Sequence, residues 1–282
     1  MCIYTKGESM TKTVLITGAS SGIGLAIANH MVDAGYQVIG TSRCTEKQDE
    51  RFEMMSLDVC DEDSVRQCVN AVLSKYGKVD VLVNNAGVAE VGSAEETTMS
   101  QLSQQFDTNF FGMVRMIQSV LPSMRSQSQG QIINISSLVG FAAIPYTSAY
   151  SASKFALEGY SEALYHELLP LGIHVSVVQP GMVKTGLFKE NAGIKNVIQD
   201  YTPWYLAVTK EIASHSEKGI STSVVADKVL SLCQMEKPPF VNRVGPDAKL
   251  VSRLRRFMPK SIFNRIWHKE FGMSGVKSFS QT

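Results

Sequence analysis

A short apolar run followed at once by a glycine-rich turn constrains this chain more than any other stretch. The run Val14–Thr17 predicts a buried strand, and the apolar spacing after the glycines predicts a helix. In that context Gly18 permits a tight turn, Gly22 lets the backbone approach a pyrophosphate, and Gly24 lets the helix pack closely on the strand. The free N–H groups at the start of the helix would face the anion. The alternative is an ordinary glycine-rich turn between a strand and a helix. The dinucleotide contacts predicted here are Gly18, Ser20, Ser21, Gly22, Ile23 and Gly24.

The end of the second predicted strand, Gln37–Thr41, indicates which dinucleotide the chain prefers. An NAD site usually places an acidic residue here to hold the ribose 2′-hydroxyl, but positions 41–43 contain no Asp or Glu. Ser42 and Arg43 offer instead a hydroxyl and a planar cation that suit a 2′-phosphate. The sequence therefore favours NADP(H), and the nearby Glu46 keeps NAD(H) as the alternative.

Two further strand ends carry residues suited to a dinucleotide. Asp58 follows a strand predicted to end at Leu57, and its carboxylate could accept a hydrogen bond from an adenine amino group. The turn at 84–87 follows the predicted strand Val79–Val83, and its small residues would let the dinucleotide lie against the strand end. The predicted contacts at these two ends are Asp58, Val59, Asn85, Ala86 and Gly87.

The predicted strand Ile132–Ile135 ends in two serines, and a helical segment then runs from Tyr150 to about Leu169. Tyr150 and Lys154 lie on one face of that helix, because residues i and i+4 are neighbours there. A nearby ammonium lowers the pKa of a phenol, which makes the tyrosine a usable general acid or base near neutral pH. Ser137 could donate a hydrogen bond to the same substrate oxygen. The alternative is a tyrosine and a lysine on an exposed helical face.

The segment Ser100–Arg125 is predicted to form one long helix with Asn109 near its middle. An amide side chain has poor helix propensity at such a position. Asn109 therefore either hydrogen-bonds a local backbone carbonyl and kinks the helix, or has a catalytic role.

Composition excludes several classes of protein. The chain has 282 residues, of which 44% are hydrophobic and 19% charged, with a formal net charge of +1. That balance is typical of a soluble globular protein and gives no positive field for a nucleic-acid partner. The five cysteines show no paired or metal-ligand spacing, so we expect free thiols in a reducing compartment and no metal. We find no signal peptide and no apolar run near 18 residues, and expect a cytoplasmic protein.

Taken together, the motifs resemble those of the short-chain dehydrogenase/reductase family, in the family's order and spacing over roughly residues 13–185. The glycine spacing matches the shorter, reductase-type branch and disfavours the epimerase and dehydratase branch. The C-terminal segment resembles the 17β-hydroxysteroid/retinol dehydrogenase-like subset. The matching motifs are Thr17-Gly18-x-x-x-Gly22-x-Gly24, Asn84-Asn85-Ala86-Gly87, Asn109, Ser137, Tyr150-x-x-x-Lys154 and Pro180-Gly181-x-Val183-x-Thr185.

This resemblance implies an α/β fold: one Rossmann-type domain with a doubly wound, seven-stranded parallel sheet, a helical substrate lid and a helical C-terminal tail. Tyr150 would exchange a proton with the substrate oxygen, and Lys154 would bind the nicotinamide ribose and depress the tyrosine pKa. Ser137 would orient and polarise the carbonyl, and Asn109 would hold a water in a proton relay. Beside Tyr150 and Lys154, the implied contacts at the nicotinamide end are Pro180, Gly181, Val183 and Thr185.

We predict three segments along the chain: an N-terminal extension at 1–10, a catalytic domain at 11–248 with a lid at about 186–220, and a tail at 249–282. By resemblance, helices around 100–125 and 150–169 would form a homodimer or homotetramer. The apolar walls predicted for the substrate site are Phe141, Ile144, Pro145, Tyr146, Phe188, Trp204, Tyr205 and Leu206.

The tail carries apolar residues at helical spacing interleaved with arginines and lysines, and Pro259 divides it in two. A basic amphipathic helix pair of this kind can lie on an anionic membrane surface. The favoured alternative is a tail that packs on its own domain or roofs the substrate pocket.

From these patterns we predict an NADP(H)-dependent oxidoreductase that interconverts a carbonyl and an alcohol on an apolar steroid, retinoid or lipid-like substrate. A dinucleotide-sensing regulatory or scaffold protein, and an NAD-dependent alcohol dehydrogenase of the same family, are the alternatives.

Overall fold

The computed structural model describes residues 11–44, 51–187 and 198–273. Four sequence predictions lie wholly or partly outside these residues: the N-terminal extension, the contribution of Glu46, Phe188 with the first part of the lid, and the end of the tail.

Seven parallel strands form one sheet in the order β3-β2-β1-β4-β5-β6-β7 among the described residues. The order reverses between β1 and β4, and in open sheets of this kind ligands bind outside the carboxyl ends of the strands at that switch point. The predicted doubly wound, seven-stranded parallel sheet is therefore confirmed. The strands are β1 (Thr13–Ile16), β2 (Gln37–Ser42), β3 (Glu53–Ser56), β4 (Val81–Asn84), β5 (Gly130–Ile135), β6 (Ile173–Pro180) and β7 (Val241–Val244).

Helices cover both faces of the sheet because its strands are apolar on both sides. In β1, Leu15 points into the cluster formed with α2, α4 and α5, whereas Val14 and Ile16 point into the cluster formed with α1 and α7. Helices α6, α8 and α9 contribute to two smaller clusters. The helices are α1 (Gly22–Asp33), α2 (Glu62–Tyr76), α3 (Met99–Phe106), α4 (Gly112–Ser126), α5 (Ser148–Leu168), α6 (Thr202–Lys218), α7 (Thr222–Gln234), α8 (Pro246–Phe257) and α9 (Lys260–Glu270).

The predicted single helix at 100–125 is interrupted. Helices α3 and α4 are joined by a π-helical turn, Asp107–Phe111, which contains Asn109. Inserted π turns of this kind occur frequently at functional sites. The prediction of one long helix therefore holds over 99–126 except for the π turn, which apolar spacing does not reveal.

Helix α8 begins at Pro246, ahead of the predicted tail boundary at Lys249. Proline suits the first helical position because its missing N–H would have no intrahelical partner there. The dipeptide Gly245-Pro246 was therefore a helix-start signal in the sequence.

Within the described residues, every helix is too short or too polar to span a lipid bilayer. The cysteines described there, Cys44, Cys60, Cys68 and Cys233, are free thiols.

A chain of buried hydrogen bonds crosses from the sheet to α5. Asn84 Nδ2 donates to Asn134 Oδ1 at 2.9 Å, and Asn134 Nδ2 donates to Ser161 Oγ at 2.9 Å. Asn134 is fully buried, so these bonds have no competition from water. They tie β4, β5 and α5 together, and α5 carries the predicted catalytic pair.

We expect Asn134→Ala to lower the free energy of unfolding by about 2 kcal/mol, because the buried Asn84 amide would lose its acceptor. Urea unfolding followed by circular dichroism measures this change. Gln234→Ala, at an exposed position of α7, is the control and should stay within about 0.5 kcal/mol. Equal losses in the two variants would contradict the structural importance of the chain.

Candidate active site

The glycine-rich turn lies between β1 and α1 with the backbone geometry that the sequence predicted. Gly18 has φ +67° and Gly22 has φ +57°, a region that residues with a Cβ rarely adopt. Ser21 is the N-cap of α1 but makes no side-chain capping hydrogen bond. The first N–H groups of α1 therefore have no side-chain cap, which suits a phosphate at the helix N-terminus.

Gly24 has a different neighbour from the one we expected. A Cβ at this position would lie 2.2 Å from the Gly18 carbonyl oxygen and 2.5 Å from Asn85 Nδ2. The close approach is therefore between α1 and the glycine-rich turn itself, and not between α1 and strand β1.

Asn85 ties the glycine-rich turn to the end of β4. Its Nδ2 donates to the carbonyl oxygens of Thr17 and Gly18, both at 3.0 Å. In return, Thr17 Oγ1 accepts from the backbone N–H groups of Asn85 at 2.9 Å and Ala86 at 3.0 Å. Thr17 belongs to the glycine motif, but its contacts with Asn85 and Ala86 could not be predicted from that motif, because the two strand ends are far apart in the chain.

A cavity of about 1040 Å³ opens at the carboxyl ends of the strands. It is bordered by nearly all the residues that we predicted as contacts, whereas Gly24 and Asn109 lie outside its wall. The predicted residues that line it are Gly18, Ser20, Ser21, Gly22, Ile23, Ser42, Arg43, Asp58, Val59, Asn85, Ala86, Gly87, Ser137, Tyr150, Lys154, Pro180, Gly181, Val183 and Thr185.

At the adenosine end predicted from the sequence, Arg43 is exposed and borders the cavity. Its guanidinium can therefore meet an anion that approaches from solvent. Asp58 Oδ1 accepts a hydrogen bond from the Cys60 N–H at 2.9 Å, so one of its two carboxylate oxygens is already engaged.

Tyr150 and Lys154 are buried, with 4% and 5% of their surfaces exposed, so the alternative of an exposed helical face is wrong. Lys154 Nζ donates to the Ile135 carbonyl oxygen at 2.8 Å and lies 6.0 Å from the centre of the Tyr150 ring. Ser137 is hydrogen-bonded to Tyr150. Strand β5 and helix α5 thus place the serine, the phenol and the ammonium on one wall of the cavity.

Burial dominates the protonation of this pair in the protein alone. Desolvation raises the pKa of Tyr150 to about 12, and the hydrogen bond with Ser137 opposes it. Desolvation also lowers the pKa of Lys154 to about 8, and the charge of Glu158 opposes it. The expected lowering of the tyrosine pKa by the lysine is therefore not what the free protein shows, because desolvation is the main influence on Tyr150.

Asn109 is held by groups distant in the chain and not by a local carbonyl. Its Nδ2 donates to the Val88 carbonyl oxygen at 2.9 Å and to Ser153 Oγ at 3.0 Å, and its Oδ1 accepts from the Val88 N–H at 2.8 Å. Ser153 Oγ in turn donates to the Tyr150 carbonyl oxygen at 2.8 Å. Asn109 therefore links the turn after β4 to the first part of α5.

Glu158 and Gln179 are residues that the sequence analysis missed. Glu158 lies one helical turn after Lys154, and its Oε1 accepts from Gln179 Nε2 of β6 at 2.9 Å. Desolvation raises the pKa of Glu158, whereas hydrogen bonds from Ser136 and Gln179 and the charges of Lys154 and Arg243 oppose that rise. The i, i+4 spacing to Lys154 was the available signal, but only the fold reveals that Glu158 is half-buried and bonded to β6.

Most of the predicted apolar walls are located elsewhere. Of those within the described residues, only Ile144 lines the cavity. Tyr146 and Tyr205 pack on each other with ring centres 6.0 Å apart, and Leu206 is 59% exposed. These aromatic residues stabilise α6 against the loop before α5.

The tail supplies the apolar wall in their place. Trp267 Nε1 donates to the Ala143 carbonyl oxygen at 2.7 Å, and Phe263 is buried in a cluster with Leu138 and Ala142. The tail thus packs on its own domain and roofs the pocket, as the favoured of the two sequence predictions for the tail expected. The cavity-lining residues of α8, α9 and the turn after α9 include Leu250, Val251, Leu254, Phe263, Ile266, Trp267 and Phe271.

Comparison with known proteins places these features in a family. The model of the short chain dehydrogenase family matches residues 12–194. The chain is 40% identical to 3-ketodihydrosphingosine reductase from Bacteroides thetaiotaomicron, over 88% of this chain and 94% of that protein. It is 35% identical to retinol dehydrogenase 8 from Bos taurus, over 91% of this chain and 89% of that protein.

Solved structures are similar over most of the chain. A short-chain dehydrogenase from Streptomyces avermitilis has a TM-score of 0.79 and 37% identity, covering 94% of this chain and 97% of its own. ElxO with NADP bound has a TM-score of 0.70 and 29% identity, covering 83% and 97%. A Burkholderia phymatum short-chain dehydrogenase/reductase in complex with NAD has a TM-score of 0.76 and 25% identity, covering 87% and 93%.

Similar folds therefore bind nicotinamide dinucleotides of both kinds. The matched family model, the relatives and the Rossmann-type sheet agree with the motifs that line the cavity. The chain belongs to the short-chain dehydrogenase family and is an oxidoreductase of that family.

Proposed function

We propose that this protein is an NADP(H)-dependent oxidoreductase that interconverts a carbonyl and an alcohol on a lipid-like substrate, with Tyr150 as the general acid and base. The observation that carries the proposal is that Ser137 and the buried pair Tyr150 and Lys154 line one cavity together, with Ser137 hydrogen-bonded to Tyr150. A binding protein without turnover would have no use for this arrangement.

The residues around the cavity suit a nicotinamide dinucleotide. The glycine-rich turn offers N–H groups without a side-chain cap, and Pro180, Gly181, Val183 and Thr185 border the same cavity as Tyr150. When bound, the cofactor supplies or accepts the hydride. The protein positions the substrate oxygen against Tyr150 and Ser137 and excludes water with the apolar roof.

The raised pKa of Tyr150 defines its first role. A phenol with a pKa of about 12 is protonated at neutral pH and can donate its proton as a carbonyl is reduced. Oxidation of an alcohol requires the phenolate instead, and the positive charges of Lys154 and of an oxidised nicotinamide ring both favour that form.

A small void beside Lys154 supports a proton path to Tyr150. The void has a volume of about 10 Å³ and is bordered by Asn109, Thr108 and Lys154. A volume of this size is close to that needed for one water molecule. Asn109 would hold such a water near the ammonium, as the family resemblance implied.

Arg43 supports NADP(H) as the cofactor. It stands at the end of β2, where an acidic residue would hold the 2′-hydroxyl of NAD. Its exposed guanidinium borders the cavity and can pair with a 2′-phosphate.

The apolar roof supports a lipid-like substrate. Residues from both tail helices line the cavity, and the wall after β5 adds Leu138, Val139 and Ile144. The two relatives are named for a ketosphingoid base and for retinol, which are both lipids. Mostly apolar pockets with few polar groups are typical of sites for such ligands.

We expect Tyr150→Phe to lower kcat/KM by about 10²- to 10⁴-fold, because proton transfer from a positioned side chain contributes that much. NADPH absorbance with a panel of ketosphingoid bases, retinoids and steroid ketones measures the rate. Tyr165→Phe on the same helix is the matched control and should retain activity. Undiminished activity in Tyr150→Phe would refute the assigned chemistry, and tight cofactor binding without turnover on any substrate would favour a sensor.

Arg43→Asp should shift the preference from NADP(H) toward NAD(H) by at least about tenfold, because it removes a charge-assisted contact with the 2′-phosphate and restores a ribose acceptor. The ratio of kcat/KM values for NADPH and NADH measures the shift. Lys237→Asp, which makes the same charge change at a distant exposed site, should leave the ratio unchanged. An unchanged ratio in Arg43→Asp would show that another residue selects the cofactor.

The depressed pKa of Lys154 predicts a pH-dependent cofactor affinity. Its ammonium is present well below pH 8 and is lost as the pH rises through about 8, so the Kd for NADPH should increase above that pH. Fluorescence titration between about pH 7 and 10 measures this, since phosphate groups with a pKa near 6 keep a constant charge there.

Glu158→Gln should move that increase in Kd to lower pH, because the charge of Glu158 raises the pKa of Lys154. Glu162→Gln, at an exposed position one turn further along α5, is the control. If the Kd for NADPH rises at the same pH in Glu158→Gln, in Glu162→Gln and in the original protein, Glu158 does not influence the pKa of Lys154.

A further inference from the structure

The two tail helices carry an apolar face that the packing of the domain leaves uncovered. Their inner faces hold the buried side chains Val251 and Phe263 against the rest of the protein. Their outer faces also carry large apolar side chains. The exposed residues are Leu250 (55%), Phe257 (79%), Ile262 (48%) and Ile266 (43%).

On α8, the outer face interleaves apolar and basic residues. Leu250, Arg253 and Phe257 stand at positions i, i+3 and i+7 and therefore share one side of the helix. Arg256 lies over the Phe257 ring, with its guanidinium carbon 5.5 Å from the ring centre.

On α9, the outer face repeats this arrangement. Ile262, Arg265, Ile266 and Lys269 stand at positions i, i+3, i+4 and i+7, and all four are exposed. We call the exposed faces of α8 and α9 together the tail surface.

Acidic residues do not offset the positive charge of this surface. Between 246 and 270 the acids are Asp247 and Glu270. Asp247 accepts from the N–H groups of Met182 and Ala248, and Glu270 lies 3.0 Å from His215. The basic residues of the same stretch are Lys249, Arg253, Arg255, Arg256, Lys260, Arg265 and Lys269.

The tail surface is both basic and apolar, so a matching partner must offer negative charge and an apolar region together. A nucleic acid would pair with the arginines but would leave Leu250, Ile262 and Ile266 without apolar partners. A second copy would bring two surfaces of like charge together. An anionic lipid surface matches both kinds of residue, because its headgroups attract the basic side chains and its acyl boundary accepts the apolar ones.

We propose that the tail surface docks on the face of an anionic lipid bilayer without crossing it. Leu250 and Ile266 also line the cavity, so docking would place the cavity roof against the lipid. The docking rests on the exposed helix faces alone. Delivery of a lipid substrate from the bilayer to the cavity rests in addition on the proposed function.

Co-sedimentation of the full chain with vesicles tests the docking separately from catalysis. We expect the protein to pellet with vesicles of about three parts phosphatidylcholine to one part phosphatidylglycerol, and far less with phosphatidylcholine alone. Arg253→Gln/Arg265→Gln/Lys269→Gln should weaken the binding by at least about tenfold. Phe257→Ser/Ile262→Ser should weaken it similarly, because it removes the side chains that enter the acyl boundary.

The matched control for the apolar change is Met99→Ser/Val224→Ser, which alters exposed apolar residues elsewhere and should bind as the original chain does. Point variants are preferable to truncation because α8 and α9 line the cavity.

Equal binding of all variants, or equal binding to neutral and anionic vesicles, would overturn the proposal. So would analytical ultracentrifugation in which Phe257→Ser/Ile262→Ser converts a stable dimer to a monomer, since a second copy would then cover this surface. If the original chain binds the vesicles but turns over none of the lipid-like substrates, the result would count against the proposed function and not against the docking.

Discussion

The hydrogen bonds between Thr17 and Asn85 are the constraint on which the rest of the site depends. They join the ends of β1 and β4, the two strands between which the sheet order reverses. A crevice forms at that point because the chain leaves neighbouring strands in opposite directions. The Asn85 amide also occupies the space that a Cβ of Gly24 would need, so the same side chain joins the two strand ends and permits the close approach of α1 only with glycine at position 24.

Burial, more than the neighbouring ammonium, sets the chemistry of the free site. The phenol and the ammonium lie in the same dry wall, so both are biased toward their neutral forms. Glu158, braced by Gln179 of β6, opposes the loss of charge on Lys154. The charged state of the lysine therefore depends on groups from α5 and β6 together. The charge of a bound cofactor would also act on the pKa values of Tyr150 and Lys154. The protonation of the two groups can therefore differ between the free protein and the complex.

The tail helices combine two roles that the sequence analysis treated as alternatives. The buried side chains of each helix pack on the domain, while the outer face keeps apolar and basic residues in solvent. Leu250 and Ile266 of the outer faces also line the cavity. A helix can serve both roles because residues i and i+4 share one face, whereas residues about two positions apart point to opposite sides. Roofing a pocket and meeting a lipid surface are therefore compatible in the same short segment.

The sequence by itself determined the features that depend on neighbouring residues. The glycine turn, the pair Tyr150 and Lys154, and the apolar strands follow from local spacing, because a turn of helix or strand repeats over a few positions. Only the tertiary structure decided which distant groups meet these features. The partners of Asn109, the contact of Glu158 with Gln179, and the replacement of the expected aromatic walls by α8 and α9 all join segments far apart in the chain. No local pattern encodes such contacts, since they arise when the sheet brings its carboxyl ends to one edge and the tail packs across them.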